Sequence, residues 1–307
     1  MAKRFQNKVA TGRYTLPITV VYAILMLIIS GAVTTQHILS LSLLGISTLL
    51  MVILNNSNAL IRVFSRLVSC SFLVLSVMIP SLLDSVRGSV VQTLFILMLL
   101  ILFKAYQDRQ SMEKIFFAFV CIGVISTQFI QILFFVPFLW LLIFTSLQAG
   151  SLRVLVASIL GLILPYWFWG CYSFFDESYG LILDHILTIT DFHYNPEDFS
   201  QPTTIISLGF ILVTGIFGLL HYITSAYADN IKTRMLYNVI MTLFITSVVF
   251  LILQPQHSDY LLRIAIICIS PLIAHFFTFT NTWLTNFAFI GTIIAIFAIT
   301  IINTWIF

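Results

Sequence analysis

Eleven apolar runs of helical length follow one another along this chain, near residues 16–33, 38–54, 67–83, 89–103, 115–127, 130–147, 154–174, 203–222, 236–253, 262–279 and 287–304. No soluble core can hide that many, so lipid must be the solvent for most of their surface. Composition says the same: 60% of residues are hydrophobic, only 8% are charged, and the mean hydropathy is +1.08. A soluble domain carries roughly a quarter charged residues. The runs are long and continuous, without the alternation of a lumen-lined strand, which excludes an outer-membrane barrel. In hydrocarbon each run must close its own backbone hydrogen bonds, so the expected fold is all-α: a polytopic transmembrane helix bundle of about eleven spans, one integral membrane domain over residues 1–307.

Basic residues set the expected orientation, because short cytoplasmic loops are enriched in Lys and Arg. With the N-terminus inside, Lys3, Arg4, Lys8, Arg13, Arg62, Arg66, Lys104, Arg109, Lys114, Arg153, Lys232 and Arg234 all fall inside, twelve of the fourteen. Only Arg87 and Arg263 fall outside. Residues 115–147 hold either two short helices around STQFIQ or one long helix with an interfacial piece, and parity favours two crossings, since a single one would carry Arg153, Lys232 and Arg234 outward. The chain is expected in a bacterial inner membrane with its C-terminus external. The N-terminal run is read as a span and not a cleaved signal peptide, because no A-x-A site closes it and a second run starts at Ile38.

Six of the eleven carboxylates lie between Asp176 and Pro202. The topology makes residues 175–202 an external loop. Within it GLILDHILTIT is apolar enough for a short interfacial helix, and PYWFWGCY before it places Tyr166, Trp167, Trp169 and Tyr172 in the headgroup layer. Asp176 and Glu177 are the candidate catalytic carboxylates, positioned to act as a base on a lipid-linked substrate; ordinary loop composition explains them too. Asp184, His185, Asp191 and His193 have ligand chemistry but no metal-site spacing, and no metal or other cofactor is expected. Cys70, Cys121, Cys171 and Cys268 fall in or beside apolar runs with no C-x-x-C pairing.

Arg87, in SLLDSVRGS, and Arg263 and His257, in QHSDYLLRIA, are the candidate lipid or phosphate-binding residues. A guanidinium at an outer helix end grips phosphate oxygens in a fork. Ion pairs Arg87 with Asp84 and Arg263 with Asp259, at i,i+3 and i,i+4 spacing, are the alternative. Gln128, Gln131 and His275 are polar groups placed within apolar runs, where each needs a partner. The inner loop LNNSNALIRVFSR suits anionic lipid or a capped helix start. Nothing in the charge pattern calls for nucleic acid.

From Lys114 onward, the order of two short helices, LRVLVASILGLILPYWFW, an outer segment and LQPQHSDYLLRIAIICISPLIAHFF resembles the GT-C glycosyltransferases, polytopic enzymes that use lipid-linked sugars. The shared features are the Pro165–Tyr166 pair at a helix end and Tyr260, Leu261 and Pro271 in a late span. The resemblance implies a lipid-linked saccharide or polyprenyl phosphate handled on the outer face, with Arg87, Asp176, Glu177 and Arg263 at the site. That family carries a carboxylate in its first external loop, whereas TTQH here offers His37. The NNSNALIR and LGLILPYW segments are also similar to a family of uncharacterised bacterial multi-pass membrane proteins. The competing expectation is a non-enzymatic scaffold or transporter component whose external loop docks a partner.

Overall fold

The structure, a computed structural model, describes residues 4–31, 37–175, 180–190 and 202–305. Among these there is no strand, and the chain is all-α. In order the helices are α1 (Phe5–Ala10), α2 (Thr15–Ile29), α3 (Ile38–Asn58), α4 (Leu67–Val77), α5 (Val86–Phe103), α6 (Met112–Ser126), α7 (Val136–Thr145), α8 (Leu152–Phe175), α9 (Gly180–Leu187), α10 (Pro202–Ser225), α11 (Ile231–Leu253), α12 (Ser258–Phe279) and α13 (Trp283–Trp305). Each of the eleven apolar runs contains one helix of this series, and seven helices are long and apolar enough to cross a bilayer. This is an integral membrane protein. The remaining runs hold the shorter helices α2, α4, α6 and α7, so eleven full crossings do not follow from helix length alone.

The helices run alternately between two ends. At one end the loop after α3 meets the loop before α11, where Arg62 Nε lies 3.8 Å from Asp229, and α1 is tied to the α12–α13 turn by Asn7 Nδ2 donating to Thr280 O at 3.2 Å. At the other end His37 before α3 lies 3.7 Å from Asp84 before α5. The segment 112–147 makes a hairpin: Gln107 N donates to Leu147 O at 2.8 Å, so the chain leaves and re-enters at one end. Its bend, at Phe129, stacks on Tyr260 at the other (centroids 4.8 Å apart, 13° between planes). The loop between α5 and α6 is held by Lys114 Nζ, 2.9 Å from Asp108, a hydrogen bond that keeps that carboxyl below its usual range.

α12 is the axis, with every residue from Leu261 to Leu272 buried. It contains Pro271, which removes one helical donor. Neighbours bond the carbonyls there: Ser71 Oγ donates to Ser270 O at 3.0 Å and Tyr237 OH to Pro271 O at 3.3 Å. α8, α10 and α13 expose long apolar faces, as Ile163, Val213 and Ile294 do, and suit the lipid-facing wall.

α6 and α8 pack through glycines. A Cβ on Gly161 would stand 2.5 Å from Phe116 O, and one on Gly123 2.8 Å from Leu162 O. Small residues let membrane helices approach closely, where packing replaces the hydrophobic drive. Gly161→Leu is expected to destabilise by roughly 1–3 kcal/mol through overpacking against backbone, read as a lower midpoint of thermal unfolding in detergent; an unchanged midpoint would show that the crossing is not tight.

One expectation is corrected here. The Pro165–Tyr166 pair does not end a helix: α8 continues to Phe175, with Pro165 inside it.

Candidate functional site

The end of the bundle that carries Arg87 is built from three turns whose entry residues are buried. Pro80–Leu83, Ile130–Phe135 and Pro255–His257 are each 3-10 segments, entered through Ile79, Phe129 and Gln254 with extended backbone (ψ 87°, 89° and 69°). Two of these entry residues precede proline, which disfavours helix there, and proline then starts the next turn. Ile79, Phe129 and Gln254 are all buried. Two of the helices before them are short, α4 (11 residues) rising about 16 Å and α6 (15 residues) about 22 Å at 1.5 Å per residue, whereas a 24-residue helix such as α8 rises about 36 Å. Polar residues are thereby brought together at the foot of a longer helical wall.

Arg263 points into this foot. Only 2% of it is exposed. Its Nε donates to Asp259 Oδ1 at 3.2 Å, and its Nη1 to Ser89 Oγ at 3.3 Å and Gln92 Oε1 at 3.1 Å; Nη2 donates to Leu82 O and reaches Ser85 O at 3.5 Å. The acceptors come from α5, its preceding turn and α12 itself, so the guanidinium joins those elements. Gly88 makes room for it: a Cβ there would fall 2.5 Å from Asp259 Oδ2 and 2.6 Å from Arg263 Nε.

Arg87, one residue before that glycine, is exposed and has no ion pair within 4 Å among the described residues. The Arg87–Asp84 pair expected from i,i+3 spacing does not form; Asp84 faces His37 instead. Arg87 adjoins Gly88, which packs against Asp259, the residue before Tyr260. Tyr260 and His257 are half-buried against Phe129, with the His257 and Phe129 rings 5.3 Å apart. Gln254, whose backbone carbonyl accepts from His257 N at 3.2 Å, is 1% exposed, and among the described residues neither atom of its side-chain amide has a hydrogen-bond partner. A buried amide left so is costly, and groups of this kind call for an explanation.

α9 packs beside this foot. His185 Nε2 is 2.9 Å from Ser126 O, the last turn of α6, and its ring meets Trp169 edge-on at 5.2 Å. Gln131 Nε2 donates to Thr188 O at 3.4 Å. A groove of about 590 Å³ runs between α6 and α8, lined by Val120, Val124, Leu164, Pro165 and Trp169, with Thr127 and Gln128 at its polar mouth beside Phe129. Asp176, Glu177, Asp191 and His193 lie outside the described residues. Among the described residues no three His, Cys, Asp or Glu side chains gather as metal ligands.

The sequence drew attention to His275 alone at the other end, and the structure supplies its partners. His275 Nε2 lies 2.9 Å from Asp229 Oδ2, and both side chains are almost completely buried. Arg62 faces the other carboxylate oxygen, donates from Nη1 to Ala228 O at 2.5 Å, and covers the Phe279 ring at 4.4 Å. Tyr222 and Tyr237 stack at 4.2 Å, each edge-on to His275. Asp229 looked like an ordinary loop acid because its partners are 46 residues after it and 167 before it. This cluster links the α3–α4 and α10–α11 connections to the end of α12.

No family model, curated protein or solved structure matches the chain.

Proposed function

We propose that this is an eleven-crossing protein of a bacterial inner membrane, N-terminus cytoplasmic, that holds a phosphate-bearing lipid, such as a polyprenyl phosphate or lipid-linked saccharide, at its outer end. The observation that carries it is Arg87, an exposed guanidinium with no ion pair among the described residues, on the same end of α5 as Gly88, which faces the start of α12 with Tyr260. A fork of this kind takes two phosphate oxygens at once. The apolar groove beside Phe129 suits a lipid tail, and the Gln254 amide gives the foot an unused donor and acceptor. Arg263 acts differently from Arg87: its donors are spent on the protein, so its part is to hold Asp259 and the α5–α12 contact. Asp176 and Glu177 remain the candidate bases for chemistry on the bound lipid, as the GT-C resemblance implies.

In nanodiscs, Arg87→Gln is expected to weaken binding of polyprenyl phosphate at least tenfold, and Arg87→Lys less, because an ammonium keeps the charge and loses the fork. Equal affinity for wild type and Arg87→Gln removes the site.

The closed network around Arg263 favours a second possibility, a non-enzymatic scaffold or transporter component in which this end is structural throughout. Orientation is tested separately by Gln110→Cys and Asp184→Cys, each in a background lacking the four native cysteines. An impermeant thiol reagent applied to spheroplasts is expected to label Cys at position 184 and to spare position 110; the reverse pattern inverts the topology.

A further inference from the structure

We infer that the membrane core of this protein contains a second lipid site, behind α13, that takes the acyl chain of an anionic phospholipid from the leaflet at the Lys8 end. This rests on residues separate from the Arg87 end and stands without the function proposed above.

α13 is fastened near its ends. At the α1 end Phe289 meets Phe277 (4.9 Å) and Phe5 (6.1 Å). Toward the far end Asn303 Nδ2 donates to Met78 O at 2.7 Å and Ser207 Oγ at 2.9 Å, and Tyr22 OH lies 3.2 Å from Thr300. Between these points α13 stands off from the bundle. A cavity of about 550 Å³ opens on its α2 side and another of about 460 Å³ on its α10 side. A third, about 150 Å³, lies between them and shares Thr15, Thr19, Ile293 and Ile296 with the first and Thr214 and Thr292 with the second. The three form one apolar passage, open toward lipid on both sides of the helix. Each outer chamber is in the size range of ligand cavities, about 300–1,000 Å³.

Its walls fix the class of occupant. Apolar side chains such as Phe210, Ile273 and Ile296 dominate, and the threonine hydroxyls among them are largely spent within their own helices, as Thr214 Oγ1 to Phe210 O at 2.8 Å and Thr292 Oγ1 to Phe289 O at 2.8 Å. A polar ligand would find little to bond, whereas a hydrocarbon chain restores the dispersion contacts that facing helices would otherwise make. The mouth fixes the headgroup. Lys8, Gly12 and Tyr14 line the chamber on the α2 side, Lys8 and Tyr14 are exposed, and Arg13 lies between them in sequence. A tyrosine at headgroup depth beside two cations is the arrangement that draws an anionic phospholipid.

The test uses the full chain in nanodiscs of mixed phosphatidylcholine and phosphatidylglycerol, extracted gently and weighed by native mass spectrometry. Wild type is expected to retain one phosphatidylglycerol in preference to phosphatidylcholine. Ile293→Trp, which fills the constriction, is expected to lose it. Lys8→Gln, which leaves the passage intact, is expected to reduce the preference for the anionic lipid several-fold. Should Ile293→Trp fail to fold, Lys8→Gln decides alone. Equal retention of both lipids by wild type, a Lys8→Gln variant with undiminished preference, or a folded Ile293→Trp that still carries the lipid overturns the assignment, as does an isoprenoid phosphate found there in its place. Arg87→Gln is expected to leave this lipid bound, which separates its failure from failure of the site at the other end.

Discussion

Asp229→Ala is expected to cost about 1–3 kcal/mol of stability, the loss typical when a buried donor is left without its acceptor. Asp229 accepts from His275 on one oxygen and faces Arg62 on the other, with its side chain 3% exposed. Its removal strands the His275 Nε2 donor and frees Arg62 from the α10–α11 connection at once. Arg62 is half exposed and can turn to water, so the larger part of the loss falls on His275. The double variant Asp229→Leu, His275→Leu is therefore expected to recover much of it, since replacing both buried partners by apolar groups is often neutral. Thermal unfolding of the purified protein in one detergent, for the two singles and the double, reads the coupling. A single variant within 0.5 kcal/mol of wild type would mean that the three connections are not held together through this carboxylate.

The second large effect is at Arg263. Arg263→Met keeps much of the side-chain volume and removes every donor to Asp259, Ser89, Gln92 and Leu82 O, leaving Asp259 as an uncompensated, partly buried carboxylate. Because Asp259 is about a third exposed and partly screened by water, the expected loss is about 2–4 kcal/mol. Lysine is expected to rescue little, because one ammonium cannot reach acceptors spread over α5, its preceding turn and α12. Arg263→Met with Asp259→Leu should be milder than Arg263→Met alone. Limited proteolysis and gel filtration distinguish this from a ligand role: if Arg263→Met folds as well as wild type and loses only lipid binding, Arg263 is a phosphate ligand and not a fastening.

Much of the fold was legible because lipid burial leaves so plain a pattern. Every apolar run became a helix, and the predicted hairpin at 115–147 closes through Gln107 and Leu147. What hydropathy does not show is where a helix stops inside an apolar run. Residues 67–83 read as one span, yet the α-helix ends at Val77, because Ile79 turns extended ahead of Pro80 and the chain continues as a 3-10 turn. Hydropathy alone does not mark the boundary, because Leu82 and Leu83 follow at once; the signal is Pro80, which turns the residue before it out of helix. At the Arg87 end, local spacing was a partial guide: it anticipated Arg263 with Asp259 and failed for Arg87, since Asp84 turns to His37 across the bundle. The Asp229 cluster was invisible for a related reason. Its members are ordinary in their own segments and become a buried network only when three connections meet. In α8 a proline that resembles a helix terminus sits mid-helix, where Gly123 of α6 packs beside it.

A lipid phosphate at Arg87 is tested by an electron cryomicroscopy map of the protein in nanodiscs containing polyprenyl phosphate. Density for a phosphate is expected within hydrogen-bonding distance of the Arg87 guanidinium, with a tail leading into the groove between α6 and α8, and no such density in Arg87→Gln. A map in which Arg87 is closed by Asp84 or Asp259 and the lipid lies elsewhere would contradict it.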